Sequence, residues 1–356
     1  MPDWAAARAL FPALREWTYL NTATFGQLST RTVEAVAEHF ERRNRTACAD
    51  FLAWFDDHDR LREKIARLIH ATADDIAFFP NASSALAVLM HGIRWREGAE
   101  VLTYEHEFPN QIYAPLFAGL ELVEAPAGRL LERMTPRTSL VAISAVNYTT
   151  GYRAPLEEIS AECQRRAVPL FVDGTQHCGA LQFDFGRIQP DMLAVNCYKW
   201  MLAPNGIAFA AVHERLRAQL KPLAIGWRSH HGWRNVNQLW RGTPELKDSA
   251  EKYEGGMLPS ALLYGLEASV DLMLELGPKA IEQRVLELAA QVRALLPDAL
   301  PYGDSPIVAA PCDDAPAQAA RLKERRILVS ARHGMLRVST HFYNDASDVE
   351  RLRAAL

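Results

Sequence analysis

Between residues 75 and 212 the chain alternates short, almost wholly apolar runs with stretches of helical period. The runs are DIAFFP (75–80), EVLTY (100–104), LELVE (120–124), SLVAISAVNY (139–148), LFVD (170–173), MLAVNC (192–197) and IAFAAV (207–212). Between or before them, 31–45, 58–70, 82–93, 111–118 and 155–166 place apolar residues three and four apart, the period of a helix with one buried face. Strands apolar on both faces need cover on both faces, so this alternation predicts an α/β fold with a mostly parallel sheet between helices. Right-handed crossovers then bring the C-terminal ends of the strands to one rim. Asn147, Asp173 and Lys199 each follow or close such a strand.

The pattern changes after residue 220. KPLAIGWRSHHGWRNVNQLWRGTPELKDS is rich in Trp, Arg, His and Gly and reads as a long functional loop. After the glycines at 255 and 256, 258–276 has the period of an amphipathic helix, and strands near 307–309 and 336–339 suggest a smaller α+β unit. A large domain over 15–255 and a small C-terminal domain over 256–356, joined by 1–14, are therefore expected. Hydrophobic residues are 49% and charged residues 23% of the 356, as in globular proteins. A net charge of −4 gives no reason to expect nucleic acid or an anionic membrane as partner. No apolar run reaches the roughly 18 residues of a membrane span, and the opening MPDWAAARALFPALREW does not read as a signal peptide. The five cysteines are widely spaced with no C-x-x-C, and no H-E-x-x-H occurs, so neither a disulfide framework nor a metal site is expected. A reducing cytoplasm suits such a chain.

Taken singly, the polar residues at the rim are unremarked: a strand-end lysine is usually solvated, and a strand-end Asp usually caps a loop. Together they match one chemistry. Pyridoxal phosphate needs a lysine to hold its aldehyde, a carboxylate to keep its ring nitrogen protonated, an aromatic face, and a phosphate cup. Lys199 and Asp173 supply the first two. Asn81-Ala82-Ser83-Ser84, between a strand and a helix, offers backbone amides and a hydroxyl to an anion. In Glu105-His106-Glu107-Phe108-Pro109-Asn110, either His106 or Phe108 is placed to stack on the ring.

With these residues assembled, the sequence resembles the class V aminotransferases among the fold-type I pyridoxal-phosphate enzymes, a group that includes cysteine desulfurases, kynureninases and isopenicillin-N-epimerase-like proteins. The most specific part is VDGTQHCGAL with NCYKWMLAPNGIAF, their Asp and Lys twenty-six residues apart, similar to the family's VDxxQ…HKxxxGPxG. The resemblance implies that Lys199 is the Schiff-base lysine and Asp173 the partner of the pyridine nitrogen. It implies that Gln176 contacts the ring oxygen or imine region, and that Ala82 and Ser83 bind phosphate. Tyr198 stands where a His is usual and Asn196 where a Ser is common, both beside the cofactor. EFPNQIY is similar to the kynureninase and epimerase pattern FPxxxY, which favours Phe108 as the stacking ring, and AVNYTTGYRAPL makes Asn147 its neighbour. In SARHGMLRVSTHFYN, Arg337 matches the arginine that grips a substrate α-carboxylate by a bidentate pair, with Arg332 beside it.

The family's EGGT reads Glu254-Gly255-Gly256-Met257 here, so the usual hydroxyl contact to the phosphate of a neighbouring subunit has no donor at Met257. The loop 227–241 is the expected substitute, with Trp227 and His230 expected at the substrate. A homodimer with the site at its interface is implied, as is an α-amino acid substrate. Lys199 carrying the cofactor and then acting as base allows transamination, elimination and epimerisation alike; transamination is the expected reaction, with a lyase, epimerase or other specialised amino-acid transformation as the runner-up and a catalytically silent binding protein as a further alternative. Only His333-Gly334-Met335-Leu336 separate Arg332 from Arg337, with no cysteine, so persulfide chemistry of the desulfurase kind is not expected.

Overall fold

The computed structural model describes residues 2–240 and 242–356. Twelve strands are found among them. β1 (Thr18–Tyr19) precedes the seven strands of the central sheet: β2 (Ile76–Phe79), β3 (Glu100–Tyr104), β4 (Glu121–Ala125), β5 (Thr138–Ser144), β6 (Leu170–Asp173), β7 (Met192–Asn196) and β8 (Ala208–Val212). Their order is β2-β8-β7-β6-β5-β3-β4, and only β8 runs against the rest. The remainder are β9 (Ile307–Pro311), β10 (Ile327–Leu328), β11 (Ser330–Arg332) and β12 (Met335–Ser339).

The continuous apolar runs have a simple cause. Phe78, Leu102, Val141, Ile143, Val172, Leu193, Val195 and Phe209 enter one core layer, while Ala77, Phe79, Val101, Leu140, Ala142, Phe171, Met192 and Ala194 enter the layer on the opposite face. Alternate residues of each strand thus face opposite ways, and both faces are covered by helices. This is the predicted mostly parallel seven-stranded sheet. Among the described residues no helix is long and apolar enough to cross a membrane.

β11, β12 and β9 form a small antiparallel sheet over a third core layer that includes Leu288, Val292, Leu322 and Val338. Residues far back in the chain join it. β1 pairs in parallel with β10, Asn21 bridges to Ser339, and Leu20 lies in that third layer. The Ser260–Leu276 helix instead contributes Leu263, Leu266 and Val270 to the core beneath the large sheet.

Some boundaries differ from the sequence reading. The strand expected over 139–148 ends at Ser144, because Asn147 folds the chain into a turn: its Oδ1 accepts the Thr149 and Thr150 amides at 3.0 and 2.9 Å. The helix expected from residue 58 begins at Phe51, and the Pro278–Leu295 helix was not foreseen. Among its described residues, the loop expected around 220–249 holds a short 3₁₀ turn (Val236–Gln238) and a bridge between His230 and Leu246. Arg241 in that loop lies outside the described residues.

Candidate active site

Lys199 follows β7 in a tight turn and is 8% exposed. No hydrogen bond or ion pair holds its Nζ among the described residues. Burial lowers its pKa to about 8; the Asp173 carboxylate opposes this, while Arg337 and Arg332 add to it. The Phe108 ring lies 5.6 Å from Nζ and the Tyr198 ring 5.7 Å. Of the two rings weighed from sequence, it is thus Phe108 that faces the amine; His106 is exposed, in a left-handed backbone (φ 58°), with its ring 6.4 Å from His333.

The turn that presents Lys199 is clamped by a segment the sequence reading passed over. Gly26 donates its amide to the Tyr198 carbonyl at 2.9 Å and lies so close that a Cβ would stand 2.0 Å from the Lys199 carbonyl oxygen and 2.7 Å from Leu202. Only glycine permits this approach. Gly26→Ala is therefore expected to push the two segments apart at a cost of about 1–3 kcal/mol, the usual range for overpacking. A thermal unfolding midpoint equal to that of the unmodified protein would contradict it.

Asp173 closes β6 and is buried. Its Oδ1 accepts the Thr175 amide at 2.8 Å and its Oδ2 accepts from Gln111 Nε2 at 3.0 Å. Neither partner is a cation. Gln111 lies in EFPNQIY, but its role depends on the Pro109–Phe117 helix crossing the ends of β5 and β6, which the motif alone does not show.

The Ala82–Gly92 helix begins directly after β2, and its first turn is partly used. Asn196 Oδ1 accepts the Ala82 amide at 3.0 Å, and Asn81 Oδ1 accepts the Ser84 amide at 2.9 Å. The exposed Ser83 retains its amide and hydroxyl without a protein partner among the described residues. Asn196 is itself fixed by Thr175, whose Oγ1 accepts the Asn196 backbone amide at 3.0 Å. Ala82 and Asn196 thus shape the cup and Ser83 faces out of it, where a helix N-terminus favours an anion.

Arg337, on β12, is 1% exposed, yet no carboxylate is paired with it. Its guanidinium donates to Ser330 Oγ (3.0 Å), the Tyr148 carbonyl (2.5 Å) and Thr24 Oγ1 (2.7 Å). Burial, with Arg332 beside it, brings its pKa down to about 9. Arg332 reaches the same Thr24 oxygen at 3.4 Å and likewise lacks an acidic partner. Among the described residues neither cation has an anion beside it, and both add to the lowering of the Lys199 pKa. Thr24 carried no sequence signal, since it lies outside any periodic segment.

Other expected residues have different surroundings. The Gln176 amide is engaged: its Oε1 accepts the Trp200 indole N–H at 2.7 Å and its Nε2 donates to the Ala23 carbonyl at 3.0 Å. Asn147 caps its own turn and donates to the His106 carbonyl at 3.1 Å. Trp227 packs its ring on Phe55 and Trp233, and His230 Nδ1 meets the His231 carbonyl at 2.5 Å. None of these partners belongs to the Lys199 group, so within one chain the loop stands apart from it.

A profile of the family described as aminotransferase class-V matches residues 18–301, most of the chain. The chain belongs to the class V aminotransferase family. That family is one of pyridoxal-phosphate-dependent enzymes, and the buried strand-end lysine with its carboxylate fits such a cofactor. The chain is similar to isopenicillin N epimerase of Streptomyces clavuligerus, 28% identical with 99% of this chain and 98% of the relative covered. It is similar also to a probable cysteine desulfurase of Methanothermobacter thermautotrophicus, 24% identical with 97% and 95% covered. Among solved structures, a mutant of C-DES with glycine covalently linked to its pyridoxal-phosphate cofactor superimposes with a TM-score of 0.87 at 23% identity, covering 99% of this chain and 98% of that one. That likeness shows the class V aminotransferase to have the fold-type I architecture. Relatives named as desulfurases mean that family membership gives no ground for the exclusion of persulfide chemistry expected from sequence.

Proposed function

We propose that this protein is a pyridoxal 5′-phosphate-dependent enzyme acting on an α-amino acid, and specifically an aminotransferase, with Lys199 as the amine that carries the cofactor. The observation that carries this reading is a buried, unpartnered lysine whose pKa falls to about 8, set between an aromatic ring and a buried carboxylate. Once bound, the cofactor supplies an electron sink for the bonds at the substrate Cα. Asp173, whose two hydrogen-bond donors are both neutral, holds a proton at the ring nitrogen. Phe108 covers one ring face and excludes water. Ser83, with the helix N-terminus behind it, holds the phosphate. Arg337 takes the substrate carboxylate in exchange for its neutral partners, and Arg332 adds a second positive charge. Lys199, once free again, removes the Cα proton as general base.

A second reading, epimerisation, is favoured by the end-to-end similarity to isopenicillin N epimerase. The two are separated by incubating amino acids in D₂O: keto-acid formation supports the aminotransferase, and inverted chirality with solvent deuterium at Cα supports the epimerase. We further propose a homodimer closing over the site. The Phe25 ring lies tilted 5.0 Å from that of Tyr198 and is still 51% exposed, an apolar side chain at the site's edge that a second subunit would cover.

Only the neutral amine attacks an aldehyde. With a pKa near 8, about a tenth of Lys199 is neutral at pH 7, against fewer than about one in a thousand for an ordinary lysine. The rate of cofactor attachment to the cofactor-free protein is therefore expected to rise with pH and level off above about 8. Borohydride reduction should then place the label on the peptide holding Lys199. A label elsewhere, or a rate still rising past pH 10, would overturn the assignment.

A further inference from the structure

Glu107 lies behind the site and is 4% exposed. It has no cation for a partner among the described residues. Its Oε1 accepts the Phe108 amide at 2.6 Å and the Ser144 hydroxyl at 2.6 Å, and its Oε2 accepts the Ser144 amide at 2.7 Å. Ser144 ends β5 directly opposite Asp173 in the register of β5 with β6. Gln111 Nε2 donates both to Ser144 Oγ at 3.2 Å and to Asp173 Oδ2 at 3.0 Å. One buried carboxyl group therefore holds, by direct or relayed hydrogen bonds, both the ring that faces Lys199 and the carboxylate beyond it.

We propose that Glu107 is a positioning residue that ties Phe108 to Asp173 through Ser144 and Gln111 and sets whether Gln111 donates to Asp173. The inference rests on the cofactor reading above. Its logic is one of donors and acceptors. Three N–H or O–H groups converge on Glu107, and the ionised carboxylate accepts from all three with no hydrogen of its own to place. When protonated, Glu107 must donate, and Ser144 Oγ is the one of its partners able to accept. The Ser144 hydrogen is then displaced toward Gln111, whose Oε1 is buried without a partner. Taking that hydrogen reorients the Gln111 amide and weakens its bond to Asp173. Burial pushes the Glu107 pKa up to about 7, and the Asp173 charge adds to the rise. Glu107 in turn adds to the rise of the Tyr104 pKa at the end of β3, which comes chiefly from burial. The rearrangement is thus placed in the neutral range.

The test uses the cofactor-loaded protein, with Glu107→Gln and Ser144→Ala as variants. The second keeps Glu107 bonded to both amides but cuts its path to Gln111. Both are expected to weaken cofactor retention about 10-fold to 100-fold, the usual effect of losing a residue that orients a ligand's partner. Both are also expected to remove a step near pH 7 from the titration of the cofactor's absorption band. Glu107→Asp should restore part of that step. Variants that keep the step and hold the cofactor within about twofold of the unmodified protein would overturn the proposal. If Glu107→Gln does not fold, Ser144→Ala alone decides. An unmodified protein that develops no cofactor band at all would instead refute the cofactor reading.

Discussion

Lys199→Ala is expected to lower turnover by about 10⁴-fold or more, since the general-base contribution alone is worth roughly 10²–10⁴. The same amine must first hold the cofactor and later move the Cα proton, so no second group shares its work. Tyr198 is the adjacent hydroxyl, and burial raises its pKa, which makes it a poor base. The variant should also lose the absorption band of the lysine-linked cofactor, while the fold persists, because Lys199 Nζ makes no bond that stabilises the protein. Added small amines should return part of the proton-transfer rate. Undiminished turnover in Lys199→Ala would remove the mechanism entirely.

The second large effect concerns stability. The Glu254 side chain is fully buried and accepts from Arg62 at 2.5 and 2.8 Å, from Arg228 at 3.3 Å, and from the Phe78 amide on β2 at 2.8 Å. Arg62 and Arg228 are themselves buried, the latter sharing its charge with Glu251 at 2.7 Å. Glu254→Ala leaves two buried guanidinium groups short of an anion and strips the edge strand β2 of an acceptor. Breaking a buried pair by removing one member typically costs about 3–5 kcal/mol, far more than the net worth of the pair. A fall in the unfolding midpoint of several degrees is expected, at about 2 °C or less per kcal/mol for a chain this large. Arg62→Met should cost less, because Glu254 keeps Arg228 and the Phe78 amide. A loss below about 1 kcal/mol in Glu254→Ala would show that water reaches the guanidinium groups.

Much of this architecture is legible because apolar runs and helical periods are local signals. Strands β2 to β8 each carry one, and strand ends fix where Asp173 and Lys199 must stand. What escaped the sequence depends on contacts between distant segments. Ser144 meets Asp173 only through the register of β5 with β6, and Gln111 meets both only because a helix crosses their ends. Gly26 and Thr24 sit in a stretch without period and act on residues 173 and 313 positions away. Gln176 shows the converse: its place in a motif says nothing of the Trp200 indole that takes up its oxygen. The Glu254 segment was read for its missing hydroxyl at Met257, whereas in this chain its glutamate is the anchor that joins the loop around Arg228 to the central sheet.

The bond between Thr24 and Arg337 sets an order on the birth of the enzyme. In a chain emerging from the ribosome, Lys199, Asp173 and the Ala82–Gly92 helix all precede residue 213, where the last strand of the central sheet has ended. The grip on an amino acid proposed for Arg337 needs residue 337 folded back onto residue 24. On the function proposed here, the substrate grip is therefore the last part of the site to be translated.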